Sequence, residues 1–553
     1  MAYIGKTNWQ NNEIVEASDM NRIEQGILGA DVGLRNVQSE VTTHKADDVS
    51  QGEIHGFRLI DGKLEYFDGQ EWQRVKGDGY PVGNVSDFSA QAGDGKVTLT
   101  WQDPDDVTIT DSNDNVITIA RWKGTKILRK TDSYPANEND GVLVVDNGVR
   151  NQYETNGFED TGLTNDTTYY YMAFPYTEED VYTVDEENRV EATPQSYKVM
   201  TAIIDLSNSN PATCITYADD AIGMTPGSAA WDEFFGHYPV ILKDGVEGVK
   251  LNPNDYTKDI DGNTVNLAST AVGDVMVAFP RRGVKITTVG NTLTVKMTDD
   301  PDNPEFEYLA HTRGTTRKEK FYLGAYKGFT DASKLRSWSG KAPTVSQTIA
   351  TFRTQAQANG AGYDQSGFYQ LTFRQAMYIL KYRNLDSQTV IGRGFVDGNS
   401  AATNTGSTNQ RGMDWGETTG KQQMKLFGLE DFWGNVREWI DGLVSTSTWN
   451  MLTATDNFND TGAGYMDNGQ GATANIGNYM SKPQGTTKTG FIAKEVTGSD
   501  STYFCDYASL GSSCVAYFGG DWGTASNAGA FWLRVNRTAS YSDADFGARL
   551  MFL

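Results

Sequence analysis

The run GAFWLRVNR, Gly529 to Arg537, does most to restrict what this chain can fold into. In an extended strand Phe531, Leu533 and Val535 point one way and Trp532, Arg534 and Asn536 the other. The run is held between Gly519-Gly520 and Gly547-Ala548-Arg549, and Tyr541, Asp543 and Asp545 continue the alternation toward the second frame. One face therefore anchors a core. The other presents an indole, a guanidinium and an amide, an assortment suited to binding. An ordinary amphipathic strand with a solvated face accounts for Arg534 and Asn536, but poorly for an outward Trp532.

At 553 residues the chain is long enough for three or four domains. Its 58 glycines against 14 prolines favour a turn-rich β architecture over a helical bundle. A net charge of −25 repels phosphate backbones, so no nucleic-acid partner is expected. Cysteines stand at 214, 505 and 514. Three cannot form a disulfide framework, and whether Cys505 and Cys514 pair is open at this level. The start, MAYIGKTNWQNNEIVEAS, has no cationic segment followed by an apolar run, and no stretch approaches the roughly 20 apolar residues of a membrane span. A soluble product made in a cytoplasm, without membrane insertion, is expected.

Four segments follow along the chain. In 1–50, Met20, Ile23, Ile27, Ala30, Leu34, Val37 and Val41 recur at alternating spacings of three and four, an a/d heptad register. Ser18 or Asp19 is the N-cap. Gly26, Gly29 and Gly33 each weaken the helix by about 1 kcal/mol relative to alanine, a deficit an oligomeric stalk would supply. The alternative is one amphipathic helix docked on its own domain. In 51–80, FRLIDGKLEYFDGQEWQRV reads as a small β-meander turning at Asp61-Gly62 and Asp68-Gly69.

Residues 81–201 read as a β-sandwich. Val97, Leu99 and Trp101 alternate inward in KVTLTW, and Leu163 precedes Tyr169 by six in LTNDTTYYYMAF. The tryptophan and the leucine-to-tyrosine corner resemble a fibronectin type III domain, with a long polar insertion around 131–160. Residues 202–553 form the largest unit. DVMVAFP (274–280) and KFYLGAY (320–326) read as strands. A helix with Phe373, Ala376, Met377 and Leu380 on one face follows a Thr372 cap. VDGNSAATNTGSTNQRGM (396–413) reads as a long surface loop.

LFGLEDFWGNVREWIDG (426–442) reads as a short helical turn entering a strand with Val436, Trp439 and Ile440. With GGDW at 519–522 and FGAR at 546–549, it resembles the signature of the formylglycine-generating-enzyme family, which has a C-type-lectin-like fold. Arg437 stands where that family has Trp, and Asp521 where it has Ser. The resemblance places Thr524 and Gly529 at the two cysteine positions of the oxygenase members. Neither residue binds copper or supplies a thiol. Four histidines, His44, His55, His237 and His311, leave too few in the last unit for a three-histidine iron site. No enzyme activity and no cofactor are expected, and any bound metal is left unknown. A glycan hydrolase using Glu430, Asp431 or Glu438 is the alternative; otherwise these carboxylates cap turns or pair with Arg437.

The closing segment also resembles the variable region of retroelement-diversified proteins of phage tails, through Gly519-Gly520, Asn527-Ala528-Gly529, Phe531, Asn536 and Gly547-Ala548-Arg549. YADDAIGM (217–224), SQTVIGRG (387–394) and GLEDFWGN (428–435) resemble tail proteins of this type, and TNWQNNEIVEASDMNRIEQGI (7–27) resembles the start of tail-fibre subunits. The fold class implied is multidomain and mainly β: a helical N-terminal segment, a meander, a fibronectin type III-like sandwich and an α+β C-type-lectin-like domain. The function implied is that of a homotrimeric receptor-binding protein of the virion. Its N-terminus would meet other tail or baseplate proteins. A bacterial surface glycan or protein would be met by Trp522, Thr524, Asn527, Trp532, Arg534, Asn536, Arg537, Tyr541, Asp543 and Asp545.

Overall fold

The structure, a computed structural model, describes residues 80–110, 116–398 and 400–553, and before them the backbones of three short strands. The heptads at 20–41, their N-cap and both Asp-Gly turns of the meander lie outside the described residues. The protein is mainly β, with several sheets and few helices. The chain divides into two compact units between Ser196 and Tyr197.

In the first unit, Phe57–Ile60, Lys63–Phe67 and Trp72–Arg74 pair antiparallel in sequence order. After them come a three-stranded sheet (Phe158–Thr161, Lys96–Gln102, Ser86–Gly93) and a four-stranded one (Arg189–Ala192, Tyr169–Thr177, Trp122–Lys130, Val142–Asn147). Val97, Leu99 and Trp101 from the first meet Ile127, Tyr171 and Ala173 from the second in one core. The Tyr169 hydroxyl accepts a hydrogen bond from the Thr164 backbone N–H at 3.0 Å, closing the corner behind buried Leu163. The segment 131–160 is not an insertion. It supplies Val142–Asn147 and the start of Phe158–Thr161, one strand for each sheet. Its polar composition hid both, because an edge strand buries only part of one face.

The second unit begins before residue 202, since Val199–Asp205 pairs with Ile215–Asp219 and Thr292–Thr298 inside it. Two large sheets dominate. The seven-stranded sheet runs Asp255–Asp259, Val246–Asn252, Tyr238–Lys243, Asp274–Pro280, Lys320–Gly324, Leu550–Phe552, Tyr363–Gln365. The eight-stranded sheet centres on Arg437–Ser445, Val515–Phe518 and Leu533–Arg537.

The helix Phe368–Tyr382 packs on Arg437–Ser445, on Val199–Asp205 and Thr292–Thr298, and through Phe373 on Phe279 and Phe321, and it starts at Gly367 rather than at Thr372. Every side chain from Phe368 to Lys381 is buried, so the helix is enclosed on all sides and Thr372 is interior. Two further readings change. Leu429–Glu430 pairs with Lys425–Leu426 as a minimal hairpin, where a helical turn was expected. The 396–413 loop is pinned rather than free: Thr405 and Thr408 are buried. Gly406 N–H and Thr408 N–H donate to Glu430 at 2.6 and 2.8 Å.

Candidate functional site

The site is built by register across the eight-stranded sheet. Val515–Phe518 lies antiparallel between Arg437–Ser445 and Leu533–Arg537, and Tyr507–Leu510 runs parallel along the far edge of Leu533–Arg537. Pairing sets Trp439 beside Tyr517, Tyr517 beside Arg534, and Arg534 beside Ser509. Cross-strand neighbours share a face, so these side chains form one row. Leu533 and Val535 enter the main core on the opposite face, with Phe531 just before the strand, while Arg534 and Asn536 are half-buried. The alternation deduced for the closing strand holds from Leu533 to Asn536; a register shift between Tyr517↔Arg534 and Val515↔Arg537 then sets Arg537 beside Val515, on the Tyr517 side.

Trp532 departs from expectation. It belongs to the Arg534 side yet is only 1% exposed. That side of the sheet carries a second, smaller core in which Trp532 packs with Trp439, Tyr517 and Phe546. The Tyr517 and Trp532 rings meet nearly edge to face, centroids 5.5 Å apart. The cover comes from the returning chain: Phe546–Gly547 pairs in parallel with Arg437 and Glu438 and lays the Phe546 ring 4.7 Å from that of Trp439. Parity separated the two faces of the strand but could not show that both are covered. Trp532 is a floor and offers no surface to a partner.

Cover gives out across the sheet toward Arg534. Its guanidinium lies over the rings of Tyr507 and Trp532 at 5.0 and 5.4 Å, and its Nε–H donates to Ser509 Oγ at 3.3 Å. Arg537 lies over Tyr541 at 4.6 Å, and the Tyr541 hydroxyl donates to exposed Asp543 at 2.9 Å. Arg437 pairs with Asp521 at 3.0 Å and closely with Asp545. Asn536 Oδ1 accepts from the Tyr517 hydroxyl at 2.6 Å. Burial raises the pKa of Tyr517, while the charges of Arg534, Arg537 and Arg437 act to lower it. The Ala544 N–H first, and then the Tyr541 hydroxyl, hold the Asp543 carboxyl below its ordinary value.

The Gly519-Gly520 frame is a backbone requirement, since the two have φ of +98° and +72°, where a side chain is strained. Just after it, the Thr524 hydroxyl accepts from Asp521 N–H at 2.8 Å and donates to Asp521 Oδ1 at 2.5 Å. Asn527 Nδ2 donates to the Thr524 carbonyl at 3.1 Å. Thr524 and Asn527 thus spend polar groups on their own turn. Trp522 is half-buried beside them, its N–H on the Asn435 carbonyl at 3.1 Å. The Asp521–Arg437 pair ties this turn to the face.

Of the residues named from sequence, the structure gathers Arg534, Asn536, Arg537, Tyr541, Asp543 and Asp545 around Tyr517. Tyr507 and Arg437 belong to the same face and were missed as contacts. The signal for Tyr507 was present in YASL, where Tyr507 and Ser509 alternate with buried Ala508 and Leu510. Only the parallel pairing Ser509↔Arg534 brings it here.

The carboxylates of the hydrolase alternative are enclosed. Glu430, Asp431 and Glu438 are all fully buried. Glu430 anchors the 396–413 loop, and Asp431 accepts from Gln423 and Asn435 at 2.6 and 2.8 Å. Glu438 meets Lys327 at 2.9 Å, not Arg437. None is open to a polymer. Cys214, Cys505 and Cys514 are free and buried, and burial pushes all three thiols up in pKa. Among the described residues no helix is long and apolar enough to cross a membrane.

No protein-family model and no curated protein sequence matches the chain. Solved structures of the Major Tropism Determinant do match. The U1 and M1 variants are each 11% identical, covering 93% of this chain and 97% of theirs, with a TM-score of 0.18. The P3c variant is 12% identical over 91% of this chain and 95% of its own, at the same TM-score of 0.18. So low a score transfers neither fold nor function, and the functional reading rests on the Arg534 face itself.

Proposed function

We propose that this protein is a receptor-binding protein of a phage tail, which attaches a virion to a bacterial surface through the face around Tyr517. One observation carries the reading. Beside the buried strands Arg437–Ser445 and Val515–Phe518, the side chains Arg534, Asn536 and Arg537 of the closing strand are left half-buried, with half-buried Tyr507 and Tyr541 next to them. Tyr and Arg over a rigid, buried aromatic floor are side chains that dominate interface energies, because Tyr brings large contact area at small entropic cost and Arg brings several N–H donors.

Within this reading the second unit is C-type-lectin-like, the sandwich is a fibronectin type III-like spacer, and the heptads at 20–41 join three copies. The N-terminus meets other tail or baseplate proteins, and a retroelement diversifies the closing segment. The protein adsorbs without turnover and without a cofactor.

The test is adsorption of labelled full-length protein to a panel of whole bacteria and their wall fractions. Saturable adsorption to some of them, without release of reducing ends from soluble wall glycan, is expected. Turnover of that glycan, or wild-type adsorption in a Tyr507→Ala/Tyr541→Ala variant, would remove the reading.

A further inference from the structure

In a chain with 72 acidic and 47 basic side chains, a guanidinium without an ion-pair partner is the less common case. Arg437 is neutralised by Asp521 and Asp545. Arg534 and Arg537 differ. Among the described residues neither has an ion-pair partner, and the one hydrogen bond of the two is Arg534 Nε–H to Ser509 Oγ at 3.3 Å. Each lies over an aromatic ring, Arg534 over Tyr507 at 5.0 Å and Arg537 over Tyr541 at 4.6 Å. Stacking fixes the plane of a guanidinium while leaving its terminal N–H groups to donate, so the forks are set before a ligand arrives. Both belong to one strand, and its register sets Arg534 beside Tyr517 and Arg537 beside Val515, two residues of one covered face.

We infer that the receptor group gripped here is an acidic sugar, its carboxylate or phosphate held between Arg534 and Arg537. Planar guanidinium forks match such anions in bidentate geometry, and charge-assisted hydrogen bonds are the strong ones. The surroundings favour a sugar over an acidic peptide. Asp543 is exposed and accepts from the hydroxyl of Tyr541, whose ring lies under Arg537, which suits hydroxyl groups flanking an anion on one ring. Three aspartates balance the three arginines across the face, so one discrete anion fits and a uniform run of negative charge does not.

This inference rests on the proposed attachment role. Its test uses the full-length protein and bacteria that adsorb it. Polygalacturonate supplies the carboxylate, a glycerol-phosphate wall polymer the phosphate, and dextran a neutral control. One of the two anionic polymers should block adsorption, thereby identifying the anion, and dextran should not. Arg534→Gln/Arg537→Gln should weaken adsorption about tenfold or more at unchanged melting temperature. If that pair unfolds, Arg534→Lys/Arg537→Lys replaces it, keeping charge but not the fork, and the same loss is expected. Wild-type adsorption that neither polymer blocks overturns the inference and leaves the attachment role standing, as does a variant that binds fully. Loss of adsorption after protease treatment of the cells, with no competition by either polymer, assigns a protein receptor and also overturns it. No saturable adsorption by the wild-type chain removes both.

Discussion

Arg549 donates Nε–H to Glu438 Oε1 at 2.6 Å, and both side chains are fully buried. Lys327 shares the same oxygen at 2.9 Å. The Arg549 guanidinium also reaches the carbonyls of Gly324, Glu430 and Asp431 at 2.7, 2.8 and 3.0 Å. The arginine that closes the glycine frame is thus a bolt between the two large sheets. Burial alone would raise the Glu438 pKa, but Arg549, Lys327 and Arg374 hold it down to about 2.

Removing one partner leaves a buried charge uncompensated, so Arg549→Met or Glu438→Gln should each destabilise the second unit by about 3–5 kcal/mol. Because the folded pKa of Glu438 is depressed, its contribution is present above its ordinary value of 4.5 and lost as pH falls through about 2. Thermal melts of Glu438→Gln and wild type should therefore converge toward pH 2. A gap that stays constant with pH would show that the carboxylate charge is not what stabilises.

Asp431 gives the opposite sign. Burial first, and then the Glu430 carboxylate, raise it from 3.8 to about 7. The folded chain keeps a proton that the unfolded chain has released, so this group's contribution is full below about pH 4 and is lost as pH rises through 7. Asp431→Asn keeps an acceptor for Gln423 and Asn435 and carries no such proton. Its melting temperature minus that of wild type should increase from pH 5 to pH 8, and parallel curves would contradict the assignment.

Gly529 lies where the chain enters the closing strand, with φ of +156°. A Cβ there would stand 2.5 Å from Ser387 Oγ and closer still to Asp506 Oδ1. Those two side chains hold the backbone N–H groups of Ala530 and Phe531 at 2.9 and 2.7 Å. Gly529→Ala should cost about 2 kcal/mol or more by displacing both. An unchanged melting temperature would mean that the two side chains yield freely.

Trp532 and Tyr541 should separate stability from binding. Trp532→Ala empties the floor of the second core and should cost about 3–5 kcal/mol. Tyr541→Ala and Asp543→Ala remove half-buried and exposed groups, and should keep the melting temperature while losing cell adsorption. If Trp532→Ala melts normally and only its adsorption falls, then Trp532 touches the receptor after all.

The residues of the closing strand show what a reader of the chain can reach. The two faces, Leu533 and Val535 against Arg534 and Asn536, follow from local backbone geometry, because a strand alternates whatever surrounds it. The left-handed turn at Gly519-Gly520 is equally local. Thr372 was misread as a cap because one apolar stripe marks where a helix touches a core, not where it starts when the core surrounds it.

The sequence by itself determined a mainly β chain of more than one unit, the parity of its closing strand, and Arg534, Asn536, Arg537, Tyr541, Asp543 and Asp545 as neighbours along it. Only the tertiary structure decided that Trp532 is buried, that Glu430 and Glu438 are enclosed, and that Tyr507 stands beside Arg534. Each of those facts depends on segments distant in sequence: Phe546 laid over Trp439, the 396–413 loop folded onto Glu430, and Tyr507–Leu510 paired in parallel with Leu533–Arg537. Alternation is a property of the local backbone, whereas burial is a property of whatever is packed on top, and no short stretch of residues carries that information.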